Sequence, residues 1–116
     1  MLPKLALIQG VFYVLTGVWP LIDIVSFQVV TGPKVDLWLV RTVGVLVTVI
    51  GVVLLSASRS RRITREILLL AVGSALGLAA IDLVYALSGR ISAIYLADAA
   101  AEIALAGLWL VGSRRT

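Results

Sequence analysis

Hydrophobic residues fall into four long runs separated by short polar segments, at positions 5–27, 37–57, 66–87 and 93–112. A bilayer core of ~30 Å needs about 20 helical residues to cross it. Each run must be helical, because in hydrocarbon a lone segment can pair its backbone N–H and C=O groups only within itself. The pattern predicts an all-α integral membrane protein, a bundle of four transmembrane helices in a single domain covering residues 1–116.

Composition strengthens this prediction, since 61% of the 116 residues are hydrophobic and 14% are charged. A soluble domain has roughly a quarter charged residues. The chain has no cysteine and no histidine, which excludes disulfides, thiolate nucleophiles, Cys/His zinc sites and His- or Cys-ligated haem. No nucleophile–base pair, phosphate-binding loop or metal-ligand spacing is present, so we expect neither an enzyme nor a cofactor, and the sequence leaves any metal undetermined.

Basic residues border the apolar runs, which is typical of membrane topology and not of nucleic-acid binding. The loop between the first and second spans and the loop between the third and fourth spans lie on the same side of the bundle, and their basic residues are only Lys34 and Arg90. The positive-inside rule therefore places the opposite ends in the cytoplasm and predicts a multi-pass protein of the cell (inner) membrane with both termini cytoplasmic. Those cytoplasmic ends carry seven of the ten basic residues: Lys4, Arg59, Arg61, Arg62, Arg65, Arg114 and Arg115.

The two halves of the chain resemble each other. The segment LIDIVSFQVVTGPKVDLWLVR, positions 21–41, aligns with AIDLVYALSGRISAIYLAD, positions 80–98. The alignment matches Asp23 with Asp82 and Arg41 with Asp98. It favours a tandem repeat of two helical hairpins (units about 5–57 and 66–113) in parallel orientation, with chance similarity between apolar helices as the alternative.

Ionisable residues within the spans form the candidate site. At 1.5 Å per residue, Asp23, Arg41, Asp82 and Asp98 each lie roughly 6–8 Å inside the outer boundary. Glu102 lies one turn deeper, on the same helix face as Asp98. Intramembrane charges are costly and tend to mark functional sites. In a structural role, Arg41 would pair with one of the acids and fix the order of the helices. In a binding role, the four carboxylates would exceed the single arginine and leave negative charge suited to a cation.

Two functions fit this pattern. The first is a membrane protein that binds, and translocates, a small cation or proton at an outward-facing acidic layer, which favours a homodimer because one small bundle has little room for a pathway. The second is a non-catalytic accessory subunit of a larger membrane complex, in which the polar layer serves assembly. Both have the lipid bilayer as their environment, and a water-accessible pocket reaching Glu102 would favour the first.

Other residues predict packing. Gln9, in the first span, is expected to form a hydrogen bond between helices, and Trp109 to lie at the inner membrane interface. Small residues at spacings of four and seven let helices approach closely. Glycines at such spacings occur in three spans: Gly10 and Gly17, Gly44 and Gly51, Gly73 and Gly77.

Overall fold

The computed structural model describes residues 1–32 and 36–114, and all regular structure in these ranges is α-helical. The helices are α1 (Leu2–Ile22), α2 (Ile24–Thr31), α3 (Leu37–Ser60), α4 (Arg65–Leu87) and α5 (Ile94–Arg114). Within the described ranges α1, α3, α4 and α5 are long and apolar enough to cross a membrane. The predicted all-α class with four such helices is confirmed.

The first hydrophobic run contains two helices, so the end predicted for the first span, at position 27, is wrong. Pro20 has no N–H to donate to the preceding turn, and α1 ends two residues later, at Ile22. Asp23 then caps α2, because its carboxylate accepts a hydrogen bond from the backbone N–H of Ser26 at 3.1 Å. Aspartate is a preferred N-cap residue, and here it redirects the chain into the short helix α2.

Helices α1 and α3 form one tight hairpin. A Cβ added at Gly17 would lie 2.7 Å from the carbonyl oxygen of Gly44, and one added at Gly51 would lie 2.9 Å from that of Gly10. The two seven-residue spacings therefore face each other across antiparallel helices and let the backbones touch. The predicted role of these four glycines in packing is confirmed.

Helices α4 and α5 form the second hairpin. On α4, the buried positions recur every four residues at Ala71, Ala75 and Ala79. Gly73 and Gly77 lie on the exposed side, where an added Cβ would meet no described atom within 4 Å. Within residues 1–32 and 36–114 they bring no helices together, so the predicted close approach at these two positions is wrong for helices of the same chain.

Three helix ends meet at one end of the bundle. The Ser58 hydroxyl, near the end of α3, donates a 2.6 Å hydrogen bond to the carbonyl oxygen of Pro3. A Cβ added at Gly112, near the end of α5, would lie 2.9 Å from Leu2. This basic end has exposed side chains at Lys4, Arg59, Arg61, Arg62, Arg65 and Arg114. Lys34 and Arg115 of the predicted orientation lie outside the described residues.

Candidate functional site: an acidic cavity between the hairpins

A cavity of about 400 Å³ is lined by residues of all five helices and is bordered by both hairpins. Gly17 and Gly44, where α1 and α3 touch, lie in its wall together with Pro20. The close contact of the first hairpin thus forms one side of the cavity. The other side comes from α4 and α5.

Three carboxyl groups line this second side: Asp82 of α4 and Asp98 and Glu102 of α5. The four-residue spacing of Asp98 and Glu102 puts both on one helix face, as the sequence predicts. Asp82 is only 5% exposed and Glu102 only 1%. Among the described residues, the lining contains no lysine or arginine.

One carboxyl oxygen of Asp82 has no hydrogen-bond partner among the described residues. Its Oδ2 atom is buried, and no described group donates a hydrogen bond to it. The Asp98 side chain lies close enough to share a hydrogen bond with Asp82. Two ionised carboxylates can only accept, so such a bond requires a proton or another donor between them. The pair therefore provides acceptors for a positively charged donor.

Glu102 is held by a residue of the first hairpin. The Tyr13 hydroxyl donates a 2.6 Å hydrogen bond to Oε2 of Glu102, and Tyr13 is itself buried. This bond joins α1 to α5 across the bundle and fixes the carboxyl group beside the cavity. It also satisfies one polar atom of Glu102 that would be costly to bury alone.

The rest of the lining is mainly apolar and aromatic. Thr16 and Thr31 line the cavity, and the hydroxyl of each donates to a carbonyl oxygen of its own helix. The rings of Trp19 and Phe27 pack edge to face, with centroids 5.3 Å apart. The aromatic lining residues are Phe12, Tyr13, Trp19, Phe27 and Tyr95.

The structure does not bring Asp23 and Arg41 into this group. Both side chains are exposed and neither lines the cavity. Asp23 caps α2, whereas its counterpart in the predicted repeat, Asp82, lies buried inside α4. Arg41 forms no ion pair with an acid among the described residues. The predicted pairing of Arg41 is therefore wrong, whereas the common depth of these residues stays a prediction.

A second polar network lies in the interior. The Trp109 indole N–H donates to Oε1 of Gln9 at 2.7 Å, and Nε2 of Gln9 donates to the carbonyl oxygen of Ala71 at 3.0 Å. The interhelical hydrogen bond predicted for Gln9 is confirmed, and it links α1, α4 and α5. Trp109 is fully buried, so it packs inside the bundle, and its position at the inner membrane interface stays a prediction.

The described acids form no cluster suited to a metal ion. In comparisons with known proteins, no family model, curated protein or solved structure matches the chain. The cavity geometry therefore carries the functional argument.

Proposed function

We propose that the protein is a multi-pass membrane protein that binds, and translocates, a cation in the cavity between its two hairpins. The observation that carries this proposal is that Asp82, Asp98 and Glu102 line one cavity whose described lining has no basic residue. Negative charge without a cationic partner is unfavourable at membrane depth. A cation or a proton in the cavity would provide the missing partner.

The experiment measures whether cations displace protons. Purified protein in nanodiscs, in weakly buffered solution, receives Na⁺, K⁺ or 2-phenylethylammonium while a pH dye reports proton release. We expect at least one cation to release protons, and the double variant Asp82→Asn with Asp98→Asn to abolish the release. Asp36→Asn is the matched control, since Asp36 is exposed and outside the cavity lining. If none of these cations is bound by the parent, the proposal is wrong.

Cation binding should strengthen as pH rises, because protons and cations compete for the same carboxyl groups. Glu102→Gln tests the contribution of Glu102, whose amide oxygen can still accept from Tyr13 but whose side chain cannot titrate. Tyr13 from α1, Asp82 from α4 and Asp98 from α5 face Glu102. We expect the variant to fold and to bind with a shallower pH dependence. Unchanged pH dependence would make Glu102 a structural residue.

We also propose that the basic end of the bundle faces the cytoplasm, because moving several guanidinium groups across a bilayer is disfavoured. The chain has no cysteine, so single cysteines can be placed at the exposed residues Ser60 and Ser88. In intact cells, an impermeant thiol reagent should label position 88 and spare position 60. Labelling of position 60 but not of position 88 would show that the basic end faces the outside of the cell.

The exposed glycines of α4 support association with another chain, either a second copy or a larger complex. Gly73 and Gly77 have open space on the outer face of α4, where a partner helix could approach closely. Gly73→Leu should shift the mass of the purified particle, measured by light scattering in detergent, toward that of a monomer. A parent particle that is already monomeric would contradict association.

The two hairpins further support a parallel tandem repeat, with α1 and α3 corresponding to α4 and α5. In an experimental structure, the repeat predicts that one hairpin superposes on the other by rotation about an axis parallel to the helices. If the two hairpins superpose only after one of them is turned upside down relative to the helix axes, the parallel repeat is contradicted.

A further inference from the structure

We infer that the cation bound in the cavity is an organic ammonium ion that carries at least one N–H group and an apolar body. This inference rests on the proposed function and names the class of its ligand. Three features of the cavity support it: its size, its unpartnered carboxyl oxygen and its aromatic wall.

The size of the cavity favours an organic ligand over a bare inorganic ion. Its volume is about 400 Å³, within the range of roughly 300–1,000 Å³ typical of small-molecule sites. A hard inorganic cation instead needs several oxygen ligands converging at about 2.0–2.6 Å. The described acids offer no such cluster. A bare ion would also leave most of the cavity volume unfilled.

The carboxyl oxygens favour a ligand that donates hydrogen bonds. Oδ2 of Asp82 is buried and accepts from no donor in the described part of the chain, and the Asp98 side chain is within hydrogen-bonding range of the same carboxyl group. An ammonium N–H placed between them would satisfy the orphaned oxygen and neutralise charge at once. A quaternary ammonium ion has no N–H and could provide only the charge.

The aromatic part of the lining favours an apolar body. Phe12 and Trp19 of α1 and Phe27 of α2 line the cavity away from the acids' own helices. Apolar surface buried against these rings is stabilised by the hydrophobic effect, and an ammonium group within about 6 Å of a ring gains a cation–π attraction. The cavity therefore combines carboxyl groups with aromatic rings, as an amphipathic amine requires.

The experiment compares matched probes by calorimetric titration into protein in nanodiscs. The probes are 2-phenylethylammonium, its N,N,N-trimethyl analogue, the neutral 2-phenylethanol, and Na⁺ and K⁺. The double variant Asp82→Asn with Asp98→Asn, in the same nanodiscs, is the blank. The heat that it gives comes from partitioning of the probe into lipid and is subtracted. Charge-assisted hydrogen bonds are worth roughly 1.5–3 kcal/mol, which corresponds to about 10–150-fold in affinity.

We expect 2-phenylethylammonium to bind at least about ten-fold more tightly than its trimethyl analogue, and the neutral alcohol to show no binding above the blank. Phe27→Leu should weaken the amine several-fold, while Asp36→Asn leaves it unchanged. Equal affinity for the amine and its trimethyl analogue would overturn the N–H requirement. Binding of Na⁺ or K⁺ alone would overturn the inference and leave the proposed function standing. Binding of no cation would overturn both.

Discussion

Gly44→Ala should lower the free energy of unfolding by about 3 kcal/mol, at the upper end of the cost of overpacking a core. The added Cβ would lie 2.7 Å from the carbonyl oxygen of Gly17. The obstructing atom belongs to the backbone, so no side-chain rotation can relieve the clash and α1 must move away from α3. The loss can be measured by SDS titration in mixed micelles, followed by far-UV circular dichroism.

Gly107→Ala is the matched control, because Gly107 lies within α5 and the same chemical change there meets open space. Alanine is favoured over glycine within a helix by up to ~1 kcal/mol, so this variant should be as stable as the parent or slightly more stable. Equal losses for the two variants would mean that the contact between Gly17 and Gly44 does not hold the first hairpin together.

The four long helices could be predicted from the sequence because each coincides with a hydrophobic run long enough to cross a bilayer. The second and third runs were expected at 37–57 and 66–87, and the structure has helices at Leu37–Ser60 and Arg65–Leu87. The first run is different, because its end depends on local chemistry. Pro20 followed by the capping residue Asp23 ends α1 inside a stretch that hydropathy alone joins to α2.

The site could be predicted only in part, because depth along a helix does not give the direction in which a side chain points. The spacing of Asp98 and Glu102 fixes their shared face, and both line the cavity. Arg41 was expected at the same depth as Asp98, but it lies on an exposed face of α3. Its face depends on how tightly α3 packs on α1, which no spacing within one helix reveals.

Tyr13 was not predicted, although it contacts the most buried acid of the site. In a chain that is 61% hydrophobic, one more aromatic residue does not stand out. Its hydroxyl was the feature that could have indicated a role, because a phenol in the middle of an apolar span needs a hydrogen-bond partner. The partner is Glu102, 89 positions later in the sequence, so the pair is visible only in the folded bundle.

The first hairpin and the cavity depend on the same residues. Gly17, Gly44 and Pro20 lie in the cavity wall, and the first two are also where α1 and α3 touch. A substitution that separates these helices therefore changes the cavity as well as stability. A glycine variant is therefore unsuited to testing the proposed cation binding, and substitutions of Asp82, Asp98 and Glu102 test it instead.

Trp109→Phe should lower the free energy of unfolding by about 2 kcal/mol, because it leaves Oε1 of Gln9 buried without a donor. The indole N–H otherwise donates to that oxygen at 2.7 Å, and both side chains are fully buried. Gln9→Leu should cost a similar amount, since it strands the indole N–H. The same SDS titration measures both losses, and Trp38→Phe is the control because Trp38 is exposed.

The double variant Gln9→Leu with Trp109→Phe distinguishes a hydrogen bond from simple packing. It removes donor and acceptor together, and replacing both partners by apolar groups can be nearly neutral. The carbonyl oxygen of Ala71 still accepts from the Ser74 hydroxyl at 3.2 Å, so it is not left unpaired. We therefore expect the double variant to be more stable than the sum of the two losses predicts, by roughly 1–2 kcal/mol. If the two losses simply add, the buried contact between Gln9 and Trp109 contributes through its volume alone.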